Sequence, residues 1–286
     1  MRRFLSLFGL MALTLVNPGA AVGGIAAPTG LPTPQTGAAH ITPHRAVYFL
    51  RIDKAKNTSA VSDVSGRMVF EWEDMCDGWA IQQKMKLHFG FTDGSDQTID
   101  GSELTWEAKD GKSYNFNIRR MADGQETENY RGKAVQNADG TVTVSYTVPE
   151  ETTETFPAQT MFPTAHTAYI LDQASRGEKF FSRRVFDGSD EDGASDISAF
   201  ILSEKAAAKE PPVAKKLKKN PLLEGAAWPV HLAFFKEGSE TGEPDYEMDL
   251  NLLPNGIARH MRIDYGDFSV TGKLEEVEPL KTQSCP

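Results

Sequence analysis

Glycoside hydrolysis needs two carboxyl groups, one of them held protonated, on either side of the bond to be cut. Glu71, Glu73, Asp74 and Asp77 offer those residue types within one short stretch, Gly66 to Phe89. Their spacing is unfavourable, because Glu71 and Glu73 fall on one face at the end of a strand, and no other signal supports hydrolysis. His166 follows Pro163 and Thr164 at the start of a helix, where a packed or capping histidine competes with a catalytic or ligand one. The six histidines form no HExxH pattern, so a zinc site is not supported. Asp187-Gly188-Ser189-Asp190-Glu191-Asp192-Gly193 has the composition of a calcium loop. The order fails, with Asp192 at the sixth place counted from Asp187 and Ala194 at the fifth counted from Asp190. A β-turn and a solvated acidic loop account for it better. There is no G-x-S-x-G elbow. No catalytic residue, metal or cofactor is assigned, and Trp79, His166 and Asp187 remain as binding or structural candidates.

Two cysteines carry the other chemistry. Cys76 sits in the acidic turn Glu73 to Gly78, where its neighbours would raise a thiol pKa and so disfavour a nucleophile. Cys285 is the second-last residue. Arg2 and Arg3 precede an apolar run from Phe4 to Val16 and then small residues around Ala21 and Ala26. That order reads as a signal peptide over 1–26, too short to span a bilayer. Export places the chain in an oxidising compartment, where two cysteines most simply pair. Two free thiols or an intermolecular bridge are the alternatives. The formal charge is −10, or −12 without Arg2 and Arg3. Such a chain is no general binder of nucleic acid or anionic membrane.

The elements that must position these residues are mostly strands. From Ile81 the apolar residues Ile81, Met85, Leu87 and Phe89 alternate with Gln82, Lys84, Lys86 and His88, the mark of a half-buried strand. Met68 to Trp72 is its hairpin partner. Residues 27–43 are rich in Pro, Gly, Thr and Ala and read as a disordered leader. Structure begins with a strand at His44 to Ile52. Turn signals such as Asp93-Gly94, Asp100-Gly101, Asp110-Gly111 and Asp139-Gly140 then recur with strands between them. One helix, Thr164 to Arg176, interrupts the rhythm, with Pro163 at its start and Gly177 at its stop. Residues 206–227 hold Pro211, Pro212, Pro221 and a cluster of Lys215, Lys216, Lys218 and Lys219, and read as a long exposed loop or a variable insertion. Four strands close the chain. About 13 or 14 strands cannot lie in one flat sheet. The expected fold is a large curled antiparallel sheet, barrel-like or spiral, over 44–286, with the helix in or over its concavity.

Several of these pieces together resemble one family: His44-Arg45-Ala46-Val47-Tyr48, the GRMVFEWEDMCDGW block, Phe162-Pro163-Thr164-Ala165-His166-Thr167, Val185 to Ser189 and the terminal cysteine. The sequence is similar to the EipB cell-envelope integrity family of alphaproteobacterial periplasmic proteins. That resemblance implies a many-stranded β-spiral with a helix in its concavity and a disulfide between Cys76 and Cys285. It also implies a periplasmic, non-enzymatic role in maintaining the envelope, and it carries over no catalytic residue. The partner expected is another periplasmic or envelope protein, or an envelope lipid or glycan bound on the curved sheet. A periplasmic carrier of lipid or lipopeptide and an envelope glycan or peptidoglycan hydrolase are the competing functions. Nucleic acid binding and membrane spanning are not expected.

Overall fold

The computed structural model describes residues 41–189, 193–202, 213–236, 242–281 and 285. The expected signal peptide, the leader up to residue 40, the acidic residues 190–192 and residues 203–212 of the Lys/Pro-rich stretch lie outside the described residues.

Fourteen strands and one α-helix follow in order: β1 His44–Ala55, β2 Val61–Asp74, β3 Gly78–Phe91, β4 Asp96–Ala108, β5 Ser113–Ala122, β6 Gln125–Gln136, β7 Val142–Val148, β8 Thr152–Phe156, α1 Pro163–Ser175, β9 Phe180–Phe186, β10 Ala194–Ile201, β11 Trp228–Lys236, β12 Tyr246–Leu252, β13 Ala258–Asp264 and β14 Phe268–Pro279. They form one sheet in the order β8-β7-β6-β5-β4-β3-β2-β1-β14-β13-β12-β11-β10-β9. Every neighbouring pair is antiparallel, and all but one are consecutive in sequence. The exception at the centre is β1 with β14, which brings the two ends of the folded chain together.

Side chains alternate across the pleat, so the register defines an inner face. His44, Ala46, Tyr48 and Leu50 on β1 stand beside Trp72, Phe70, Met68 and Gly66 on β2, and these beside Ile81, Gln83, Met85 and Leu87 on β3. A right-twisted sheet of this width curls, and burial of this face drives the curl. The free edges, β8 and β9, are not hydrogen-bonded to each other. They overlap through side chains instead: Phe186 of β9 packs on Phe156 of β8 and Phe116 of β5, with ring centroids 5.3 and 5.5 Å apart. The turn after β9 lies inside the curl, where Asp187 O accepts from Tyr114 Oη at 2.9 Å. Gly188 sits there at φ +72°, and a Cβ on it would meet the Phe116 ring at 2.7 Å. The result is an open spiral, not a closed barrel.

Helix α1 lies in the concavity. Ile170, Leu171 and Ala174 pack with Trp72 of β2, Phe181 and Val185 of β9, Ile197 of β10 and Val230 and Leu232 of β11. Gly177 at φ +80° ends the helix where the sequence places its stop.

Four sequence readings need correction. Asp100-Gly101 is not a turn but the middle of β4, because it pairs with Lys86 and Met85 of β3. β8 was not foreseen; its Thr and Glu residues are exposed on a sheet edge and carry no apolar alternation. Ile41–Pro43 belong to the folded part and not to the leader, with Ile41 buried against Trp72 and Thr42 N donating to Asn255 O at 3.0 Å. Residues 213–227 are not an exposed loop. They form two 3-10 turns, Lys215–Leu217 and Pro221–Leu223, whose Leu217 and Leu223 are buried with Ala227 beside Leu253, Ile257 and Leu274. The lysines there are exposed while Leu217 and Leu223 are packed into the core.

Candidate functional site

The charged interior is built on β4 and β5. Glu107 of β4 has Trp79 of β3 on one side and Tyr114 of β5 on the other, a cross-strand row on the inner face. Four residues back, Glu103 lies between Gln83 and Ile118, and Arg120 continues the Tyr114, Phe116, Ile118 face to stand beside Glu128 of β6. Arg120 is 4% exposed. Its Nη1 donates to Glu128 and, at 2.9 Å, to Ser189 O, and its Nη2 lies 3.8 Å from Glu103. The guanidinium therefore ties β4, β5, β6 and the turn after β9 into one cluster.

Glu107, 2% exposed, is the anchor of the helix. The N-cap residue Phe162 has no side-chain cap to offer, and the first turn of α1 carries no acid of its own. Glu107 supplies both across the concavity: Oε2 accepts from Thr164 N and Oε1 from Ala165 N, each at 2.7 Å. Pro163 has no N–H to satisfy, and a carboxyl from a strand takes up the donors of the next two residues at the positive end of the helix. Phe162, fully buried, stacks on Tyr114 at 5.2 Å and fixes the approach of the chain into the helix.

Burial governs the titration of these groups. Desolvation pushes the Glu107 carboxyl up to about 7, against the pull of the two backbone N–H groups. Glu103 is pushed up to about 7, again by desolvation first, with Arg120 lowering it and Asp187 raising it. His166 is pushed down to about 4 by burial, with the Arg183 guanidinium adding to the effect. At neutral pH the imidazole is uncharged, and its Nε2 has no hydrogen-bond partner among the described residues. It packs edge-on against Phe181 at 6.1 Å.

The three candidates from the sequence thus border one interior. Trp79 neighbours Glu107 in the sheet, packs edge-on with Trp72 at 6.2 Å and lies under Lys109 Nζ at 5.1 Å. His166 is on the helix turn that Glu107 holds, and Asp187 closes over Tyr114. The four acids of the first hairpin are not brought together there. Glu71 pairs with Arg45 at 3.1 Å on the outer face, Asp74 pairs with Lys109 at 2.6 Å and accepts from Cys76 N, and Glu73 and Asp77 are exposed. The cysteines are bonded to each other, Cys76 to Cys285, fastening the end of the chain to the turn between β2 and β3.

Glu103, Glu107, Arg120 and Glu128 were not singled out by sequence. In β4 the alternation misleads, since the apolar Leu104 faces outward at 49% exposure while Glu103 and Glu107 face inward. Ile99 and the pairing with Met85 and Leu87 set that register. Arg120 was legible in principle as the next inward position after Tyr114, Phe116 and Ile118. Chemically the cluster is occupied with itself. Both Glu107 oxygens, the Arg120 guanidinium and the Tyr114 hydroxyl are engaged by protein groups, and the described residues contain no group of three or more His, Cys, Asp or Glu that could hold a metal ion. No helix among the described residues is long and apolar enough to cross a membrane.

Known proteins share this architecture. The curated "Cell envelope integrity protein EipB" of Brucella abortus (strain 2308) is 31% identical over 247 residues, which is 86% of each chain. A crystal structure of a β-barrel-like protein of a domain of unknown function, also from Brucella abortus, superposes with a TM-score of 0.76 at 29% identity, covering 85% of this chain and all of that one. The model of the EipB-like family matches residues 35–281, which is nearly all of the folded part. With its spiral sheet and helix-filled concavity, this chain belongs to the EipB-like family.

Proposed function

We propose that this protein is exported to the periplasm and maintains the cell envelope without catalysis, by binding a protein or envelope component on the outer surface of its curled sheet. The name of the Brucella relative supports the envelope role. The carrying observation is the filled concavity. Ile170, Leu171 and Phe162 are buried to 3% or less, and the space that a lipid carrier would load is occupied by α1 on one side and by Leu217 and Leu223 on another. The interior carboxyls, which a hydrolase would have to present, are turned to the helix backbone and to Arg120. Binding is then left to the outer face of the strands.

The test is photo-crosslinking in living cells. A crosslinking residue at Leu104, on the outer face, should yield discrete adducts, and one at Ile170 should yield none beyond the chain itself. Adducts formed from Ile170 and not from Leu104 would overturn the reading and restore the carrier.

A further inference from the structure

We infer that the outer face of β2–β5 is a binding groove for the phosphate-bearing headgroup of an envelope lipid. The inference rests on the outer-face reading above and gives it a site and a ligand class. The groove encloses about 370 Å³ and is lined by Arg67, Val69, Lys84, Lys86, Ser102 and Arg119, among others. Its geometry follows from register. Arg67, Lys86, Asp100 and Met121 form one cross-strand row, and Val69, Lys84, Ser102 and Arg119 form the next row two residues along. With strands about 4.8 Å apart, the rows span roughly 14 Å across and about 7 Å along the sheet. Four cations and one carboxylate, Asp100, thus share one small area of a protein whose formal charge is −10.

These cations are only partly neutralised. Lys86 lies 3.1 Å from Asp100, Arg67 3.3 Å from Glu275 and Arg119 2.5 Å from Glu126. The three pairs are exposed or, at Glu275, partly exposed, the kind that an incoming anion displaces at little cost. Lys84, exposed in the middle of the groove, has no ion-pair partner among the described residues. Arg67 and Arg119 can each meet a phosphate with two N–H groups, Lys84 and Lys86 supply point charges, and the Ser102 hydroxyl lies between them. Val69, Met121 and the methylene stems of the lysines make the remaining walls apolar. Charge beside apolar surface fits a headgroup with the first carbons of its lipid better than it fits a free ion. The acidic remainder of the protein would repel a flat anionic bilayer, so recognition is of one lipid at a time.

The experiment is calorimetric titration of the mature chain at low ionic strength. The probes are dihexanoyl phosphatidic acid below its micellar concentration, dihexanoyl phosphatidylcholine and inorganic phosphate. Phosphatidic acid should bind at least tenfold more tightly than either of the others, and salt should weaken it. Lys84→Glu with Arg119→Glu should cost at least tenfold in affinity at an unchanged melting temperature, and the milder Lys84→Gln a few-fold. Equal binding of the choline lipid, inorganic phosphate matching phosphatidic acid, or variants that bind like the wild type would each overturn the inference. Catalysis in the interior would leave this titration untouched, so the groove and the non-enzymatic reading fail separately.

Discussion

Gly188→Ala tests the overlap of the two sheet edges. Two costs are expected. At φ +72° a side chain with a Cβ is strained by about 1–2 kcal/mol, partly offset by about 0.4–1 kcal/mol from a less flexible unfolded chain. The new methyl would also lie 2.7 Å from Phe116, which is fixed between Tyr114, Tyr146 and Phe186. Forcing that ring aside is overpacking, worth about 1–3 kcal/mol. Gly94→Ala separates the two costs, because Gly94 has φ +85° and nothing within 4 Å of a Cβ. Gly94→Ala should therefore cost about 1 kcal/mol and Gly188→Ala about 2–4 kcal/mol. At roughly 2–4 °C per kcal/mol for a domain of this size, Gly188→Ala should melt about 4–16 °C below the wild type. Thermal unfolding by circular dichroism, with urea unfolding as a check, gives both numbers. If Gly188→Ala is no worse than Gly94→Ala, the turn after β9 does not pack on β5, and the spiral is not held shut as described.

Two further outcomes concern the fastenings. Cys76→Ser and Cys285→Ser should lower stability by similar amounts, at most about 5 kcal/mol by loop entropy, since each removes the same bond closing a 209-residue separation; unequal losses in urea unfolding would count against that account. For Glu107, a folded-state pKa of about 7 against 4.5 means that the folded chain keeps a proton the unfolded chain gives up. Its contribution to stability is complete below pH 4.5 and lost as pH rises through 7, a span of about 3 kcal/mol. His166, lowered to about 4, works the other way and loses its contribution as pH falls from 6.5 through 4. Comparing Glu107→Gln with the wild type isolates the carboxyl: between pH 4.5 and 8 the difference in urea-unfolding free energy should move in favour of the variant by about 3 kcal/mol. A difference that does not change with pH would show that the Glu107 carboxyl is not desolvated as its burial implies.

The sequence conveyed the strands more fully than the site. Turn glycines and alternating strands such as Ile81 to Phe89 are local signals, and hairpins made from them need only neighbours, so the meander and the one helix were legible. β8 was missed because an exposed edge strand needs no apolar face, and Asp100-Gly101 was misread because its turn chemistry is outvoted by pairing with β3. The leucines in 213–227 were hidden among lysines whose charge is carried outward. The site was harder to read for a related reason. Glu107 caps a helix that starts 56 residues later, and the only clue at the helix itself, a first turn without acids, points to no particular donor. Trp79, His166 and Asp187 were found as parts of conspicuous motifs, yet what gathers them is the register of β3, β4 and β5, which alternation in β4 misrepresents.

Rescue of a gene-deleted strain tests most directly whether the protein acts without catalysis. Survival in detergent would be measured for cells complemented with the wild-type chain or with Glu103→Gln and Glu107→Gln together, at matched protein levels. The account predicts full rescue by the variant lacking both carboxyls, because those groups serve the fold. Failure to rescue by a stably folded, normally exported variant would contradict it and place chemistry inside the spiral.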